Sequence, residues 1–134
     1  MEIAINFWAV IISMVLSVLI GFFWYGPLFG KQWMKLTGIS MPDKNPGFAM
    51  MIKPMIISMI GALFMAVTMT YSIYFMGGSG ITAGLEAAFW NWLGFTVPVL
   101  LNFVAWENKS WKLFAIHTSY WLVLLCAMGI VLTF

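Results

Sequence analysis

The sequence is short of charge, contains no arginine, and has one cysteine and one histidine among its 134 residues. Charged residues make up 7% of the chain and hydrophobic residues 63%, whereas a water-soluble domain keeps about a quarter of its residues charged. This composition excludes an ordinary soluble fold. The net charge of +2 is too small and too localised to predict nucleic-acid binding. The lone Cys126 excludes an intrachain disulfide and a site built from several cysteines.

Motifs of the common enzyme classes are also missing. The chain has no glycine-rich phosphate loop between a strand and a helix, and no histidines and acids spaced to hold a metal ion. A serine, histidine and acid set that spacing would bring together is absent as well. We therefore predict no cofactor and no metal, and an enzyme is the less favoured class of function. A site assembled between subunits would leave no such motif.

Long apolar runs are what the sequence does contain. They cover about residues 5–25, 51–76, 82–105 and 111–134, and each is close to the roughly 20 residues that cross a bilayer as a helix. Backbone groups at that depth need internal hydrogen bonds, so each run is predicted to be helical. The first run lacks the positive start and the cleavage site of a secretory signal, which indicates a permanent helix. The predicted fold class is all-α, an integral membrane four-helix bundle with one domain over residues 1–134.

The lysines are confined to two of the connections between these runs. Short lysine-rich connections stay on the cytoplasmic side of a membrane, so we predict a multi-pass protein of the bacterial inner membrane, with both termini outside. Leu28 to Leu36 mixes apolar and charged residues, which predicts a short amphipathic helix lying on the lipid bilayer after the first span. The lysines behind this topology are Lys31, Lys35, Lys44 and Lys53 in the first connection and Lys109 and Lys112 in the third.

Small residues recur every four positions along three of the runs. Helices in lipid approach each other most closely through such residues. These series predict either a homo-oligomer, or contact with a membrane-protein partner, or packing between the helices of one subunit, which four antiparallel helices need in any case. The three series are Ala9, Ser13, Ser17 and Gly21; Ala62, Ala66 and Thr70; and Gly80, Gly84 and Ala88.

Glu86 is the one acidic residue predicted within a span. An acid inside a membrane is a functional candidate by default, because an ionised carboxylate is costly there. The antiparallel topology sets Asn6, Thr70 and Tyr71 at a similar depth and Asn91 somewhat deeper, which predicts a polar cavity open to the outer side. The alternative is an interfacial charge favoured by the positive end of the helix dipole.

His117 lies about two turns into the fourth span from the inner side, and Asn102 lies at comparable depth on the third. These two residues form the candidate inner polar site. A histidine in this position could relay protons. The alternative is a structural imidazole that forms a hydrogen bond with a neighbouring amide or hydroxyl.

Three segments together resemble a known family. They read GFFWYGPLFGKQWMKL at residues 21–36, NWLGFTVPVL at 91–100 and WKLFAIHTSY at 111–120. The first is the most specific, with its tryptophan, tyrosine, glycine and proline run followed by glycine and lysine. The chain resembles the small bacterial membrane proteins catalogued as domain of unknown function 1761. The resemblance implies a four-helix membrane protein and supplies no activity and no catalytic residues.

Three functions follow as hypotheses. The leading one is a homo-oligomer that binds or transports a small solute through the polar cavity near Glu86. The second is a structural or accessory subunit of a membrane complex, held through the small-residue series. The third is an enzyme acting on a lipophilic substrate, with His117 as acid or base.

Overall fold

The computed structural model describes residues 3–39 and 48–134, and the regular structure in these ranges is helical throughout. Four helical stretches are long and apolar enough to cross a membrane: Phe7–Leu28, Ile52–Phe75, Gly80–Glu107 and Trp111–Val131. The chain is therefore an all-helical, multi-pass membrane protein, as expected. Lys44 lies outside the described residues, and the direction of the chain relative to the cytoplasm stays a prediction.

The helices begin and end at residues suited to those positions. The side-chain oxygen of Asn6 accepts hydrogen bonds from the N–H groups of Trp8 (3.1 Å) and Ala9 (3.2 Å), which starts the first helix. Ser110 starts the last helix in the same way, and Gly38, with φ of 73°, ends the second. In chain order the helices are α1 Phe7–Phe23, α2 Gly30–Thr37, α3 Phe48–Phe75, α4 Gly80–Asn91, α5 Val97–Glu107 and α6 Trp111–Val131.

Two π-helical turns widen the spans. The first π turn, Trp24–Leu28, follows α1, and the second π turn, Trp92–Thr96, joins α4 to α5. Pro27 lies inside the first and Pro98 closely follows the second. Proline lacks an N–H and its ring clashes with the carbonyl four residues earlier, so a wider turn relieves the clash. The first apolar helical stretch runs to Leu28, three residues beyond the end predicted near residue 25.

α6 lies at the centre of the molecule. It contacts α1, α3, α4 and α5, and it is the most buried of the spans. One core cluster joins α6 to α3 through Ala62, Tyr120, Leu124 and Met128. A second joins α3, α4 and α6 through Met69, Ala87, Ala88 and Leu125. Side chains on α6 therefore meet groups from every other span.

The small-residue series lie largely at these helix contacts. Ala9, Ser13 and Ser17 are buried, and a Cβ on Gly21 would come within 3.3 Å of the Tyr120 hydroxyl on α6. Between α4 and α6, a Cβ on Gly84 would overlap the backbone of Gly129, and a Cβ on Gly129 would overlap that of Gly84. The small-residue face of α1 thus packs against the chain's own helices.

Large apolar side chains cover the outside of the helices. Phe64 on α3 and Phe95 in the second π turn are 66% and 72% exposed, although both lie well inside their spans. Trp106 and Trp111, close to span ends, are 82% and 66% exposed. An apolar surface of this extent needs lipid rather than water around it, and tryptophans near span ends suit the headgroup level.

Candidate functional site

The imidazole of His117 is a polar group inside the spans that forms a hydrogen bond with another helical segment. Its Nδ1 lies 2.5 Å from the hydroxyl of Tyr25, which belongs to the first π turn. Tyr25 also contacts the rings of Trp33 and Tyr120 edge-on, with centroid distances of 5.4 Å and 5.3 Å. The imidazole is thereby held in one orientation by a hydrogen bond and by its aromatic neighbours.

Two tryptophans hold the backbone of α6 on either side of His117. The indole Nε1 of Trp24 donates to the carbonyl of Ile116 over 3.0 Å, and that of Trp92 donates to the carbonyl of Thr118 over 2.8 Å. Carbonyls two residues apart point about 200° apart around a helix, so the indoles approach from opposite sides. Each tryptophan is the first residue of a π turn. Both π turns are therefore tied to α6 at the level of His117.

A third contact ties α1 to α6. The buried hydroxyl of Tyr120 donates to the backbone carbonyl of Ser17 over 3.1 Å. Gly21, one turn further along α1, leaves room for that hydroxyl. Such a bond matters because an unpaired hydroxyl in an apolar core costs about 1–3 kcal/mol. The Tyr120 ring then forms the apolar wall against which Tyr25 and Trp24 pack.

A cavity of about 330 Å³ opens beside His117, and we call it the histidine cavity. One wall comes from the end of α2, a second from α5 and the third from the first turns of α6. α2 and α5 each follow a π turn, so the two tryptophan bonds also set where these walls stand. The residues around the cavity are Thr37, Ile39, Leu100, Phe103, Val104, Lys109, Leu113, Phe114 and His117.

His117 lines this cavity, and its Nδ1 is bonded to Tyr25, which leaves the second ring nitrogen, Nε2, to face the cavity. Nε2 has no hydrogen-bond partner in residues 3–39 and 48–134, and no fully buried side-chain nitrogen or oxygen in those ranges lacks one. Nε2 is therefore not sealed in the core. We assign the proton between Tyr25 and His117 to the phenol, because His117 is the one described partner of that hydroxyl. A neutral imidazole that accepts at Nδ1 carries its proton at Nε2, so the cavity faces an N–H donor.

Asn102 lies apart from His117, although both were predicted in one inner site. Its side-chain nitrogen donates to the carbonyl of Pro98 over 3.1 Å, one turn back on its own helix, and the side chain is exposed. The histidine cavity includes three residues of α5, and Asn102 is not among them. No described hydrogen bond joins Asn102 to His117, so the paired inner site stays a prediction.

The outer polar residues are distributed over several places. Glu86 is exposed on α4. Asn6 caps α1 and donates to the backbone oxygen of Phe134 over 3.3 Å. Thr70 donates to a carbonyl of its own helix, and Tyr71 is exposed, with its ring stacked on that of Phe75. The polar cavity proposed around Glu86 stays a prediction, because none of these contacts joins Glu86 to the others.

Asn91 instead belongs to a second, mostly apolar cavity. Its side-chain nitrogen donates to the hydroxyl of Ser72 over 3.0 Å and to the carbonyl of Ala87 over 2.8 Å, so its donor group is already in use. The cavity has a volume of about 370 Å³. Its walls are Phe64, Met65, Thr68, Met69, Asn91, Phe95, Thr96 and Leu125, and Glu86 is not part of them.

The comparison with known families agrees with the sequence resemblance. The model of the protein of unknown function family DUF1761 matches residues 8–133, which is nearly the whole chain. The chain belongs to DUF1761. No curated protein and no solved structure matches it. For this DUF1761 chain, function must therefore be argued from the arrangement of its own residues.

Sequence reasoning on this DUF1761 chain found His117 and missed the groups that surround it. Trp24, Tyr25 and Trp92 were not singled out as site residues from the sequence, yet all three form hydrogen bonds with α6 residues. One signal was available: each tryptophan precedes a proline by three or six positions, where a widened turn is expected. Such turns often occur at functional sites.

Proposed function

We propose that this protein binds a small, largely apolar molecule in the histidine cavity. The observation behind the proposal is that Tyr25 holds one nitrogen of His117 while the other faces a cavity with mostly apolar walls. Ligand pockets typically combine apolar walls with a few fixed polar groups that set orientation. A volume of about 330 Å³ lies at the small end of the range for such pockets.

The site is pre-organised, which favours binding. The hydrogen bond to Tyr25 and the contact between the two rings, at a centroid distance of 5.6 Å, restrict the imidazole before any ligand arrives. Trp24 and Trp92 restrict the helix that carries it. A ligand with a hydrogen-bond acceptor would therefore pay little ordering entropy at Nε2. This supports binding as the primary role of the site.

The test compares molecules that co-purify with the wild type and with variants. The protein is purified in nanodiscs, and small molecules are extracted and identified by mass spectrometry. Leu100→Trp fills the cavity without touching its polar groups, and His117→Ala removes the donor. Asn102→Ala is the matched control, because Asn102 is polar, lies on α5 beside the cavity wall and does not line the cavity.

We expect a molecule that is retained by the wild type and by Asn102→Ala and is lost from Leu100→Trp and His117→Ala. Circular dichroism and size-exclusion profiles show that each variant is folded before the comparison is made. The proposal fails if folded Leu100→Trp retains every molecule that the wild type retains.

A second role rests on Glu86. Its carboxylate is exposed on α4 inside the span Gly80–Glu107, beside the exposed side chains of Leu85 and Phe89. A carboxylate facing lipid is costly unless water or another chain reaches it. A homo-oligomer that binds or transports a solute at Glu86 would supply that contact.

This role predicts that Glu86→Gln lowers solute flux in proteoliposomes. Glu107→Gln is the control, since Glu107 is exposed at the end of α5. Equal flux in Glu86→Gln and wild type for every solute that moves would rule the role out. The accessory-subunit alternative needs another surface than Ser13 and Ser17, because both are buried.

A further inference from the structure

The free polar groups at the histidine cavity are hydrogen-bond donors. Lys109 and His117 line it, and the groups of their side chains without a described partner are an ammonium and Nε2–H. The hydroxyl of Thr37 already donates to the carbonyl of Trp33 over 2.7 Å and accepts from the N–H of Ile39 over 3.4 Å. The side chains that face the cavity therefore offer protons to a ligand and leave few acceptors for it.

The charge of the residues around the cavity also favours a ligand that accepts hydrogen bonds. Of the described residues that line the cavity, none is acidic, and Lys109 is its one charged side chain. Lys112 lies at the start of α6, and Lys31 and Lys35 lie on α2. Glu107 at the end of α5 is the described acid at this end, which is therefore net basic. An anionic group at Lys109 would meet a complementary field and a charge-assisted hydrogen bond.

The remaining lining residues are apolar, so they favour a ligand with an apolar part. Leu100, Phe103 and Val104 on α5 face Leu113 and Phe114 on α6. The volume of about 330 Å³ suits a polar head and the first part of one hydrocarbon chain, and is too small to enclose a whole phospholipid. A ligand with an acidic polar head and one hydrocarbon chain is a single-chain acidic amphiphile.

We infer that the molecule bound beside His117 is a single-chain carboxylate amphiphile, with its carboxylate oxygens between the Lys109 ammonium and His117 Nε2 and its chain against α5. The inference rests on the proposed function and names its ligand class. Lys109 and His117 both line this cavity, and none of its lining residues is acidic. Lys109 acts as the charge partner, and His117 orients the second oxygen.

The experiment measures equilibrium binding of radiolabelled dodecanoate, dodecanol and dodecyltrimethylammonium to the protein in phosphatidylcholine nanodiscs. Empty nanodiscs correct for partition into lipid. We expect dodecanoate to bind most tightly and the cation least. Lys109→Gln should weaken dodecanoate binding about tenfold, the scale of one charge-assisted hydrogen bond. Lys112→Gln, at the same end and outside the cavity lining, should leave it unchanged.

Each contrary outcome has a separate meaning. If dodecanol binds as tightly as dodecanoate and Leu100→Trp abolishes both, the cavity binds ligand but the acidic class is wrong. If no probe binds above empty nanodiscs, the proposed function fails with the inference. If phosphatidylglycerol nanodiscs, corrected in the same way, abolish the dodecanoate binding seen in phosphatidylcholine, the occupant is a phospholipid headgroup and the single-chain assignment is wrong.

Discussion

Tyr25 and His117 are separated by 92 positions in the chain, and the tyrosine hydroxyl lies 2.5 Å from Nδ1 of the histidine. The contact joins a π turn that follows α1 to the second turn of α6. It orients the imidazole and decides which of its nitrogens faces the histidine cavity. Loss of this one hydrogen bond should therefore change both stability and ligand binding.

Tyr25→Phe should lower the free energy of unfolding by about 1 kcal/mol, the net contribution of one hydrogen bond. It should also free the tautomer of His117, which nitrogen chemical shifts of the imidazole report directly. Thermal unfolding in detergent gives the stability change. Tyr71→Phe is the control, since Tyr71 is exposed on α3. Unchanged imidazole shifts in Tyr25→Phe would show that the hydroxyl does not set the tautomer.

Gly84→Ala should destabilise the protein by about 1–3 kcal/mol, as overpacked contacts do. The added methyl would overlap the backbone of Gly129, where α4 and α6 approach closely. Gly61→Ala is the control, because it is the same substitution within a helix and its Cβ would meet no heavy atom within 4 Å. Because alanine favours helix over glycine, Gly61→Ala should be neutral or stabilising. Equal unfolding temperatures for the two variants would contradict the close contact.

Trp92→Phe should destabilise the protein by about 1 kcal/mol through loss of the bond to the Thr118 carbonyl. It should also speed amide hydrogen exchange in the second π turn, since that turn is tied to α6 by the same bond. Trp90→Phe, two positions earlier and 55% exposed, is the control. If Trp90→Phe and Trp92→Phe change exchange equally, the indole bond is not what holds the turn.

The lysine pattern predicts which end faces the cytoplasm. In a Cys126→Ala background, Ser79→Cys should react in intact cells with a membrane-impermeant maleimide, because it lies in the connection between α3 and α4. Lys109→Cys should react only after permeabilisation, because it lies in the lysine-bearing connection before α6. The reverse pattern would show that the chain is inserted with both termini inside.

Sequence reasoning was most successful where one physical requirement acts on each residue independently. Every backbone group in lipid must find an internal partner, so a long apolar run predicts a helix whatever surrounds it. The four runs and their helical state followed from this alone. The same reasoning identified His117 as a candidate, because a polar residue inside an apolar run is visible without a structure.

Contacts between particular side chains were harder to predict. The depth of a residue along a span can be read from the sequence, but the side of the helix on which it lies cannot. Asn102 lies near the depth of His117 yet bonds to the carbonyl of Pro98 on its own helix. Glu86 and Asn91 share α4, yet Asn91 faces Ser72 while Glu86 is exposed. The π turns add to the difficulty, since one extra residue per turn rotates everything after it.

The sequence by itself determined that this is a membrane protein of four helical spans. Its composition requires lipid as the solvent, and in lipid a long apolar run must be helical for its backbone groups to form hydrogen bonds. The tertiary structure alone decided that Trp24 and Trp92 hold α6 from opposite sides and that Tyr25 meets His117. Those contacts depend on how each helix is rotated and how closely Gly84 and Gly129 allow two of them to approach. In lipid, such packing rather than hydrophobic burial determines which helix faces meet.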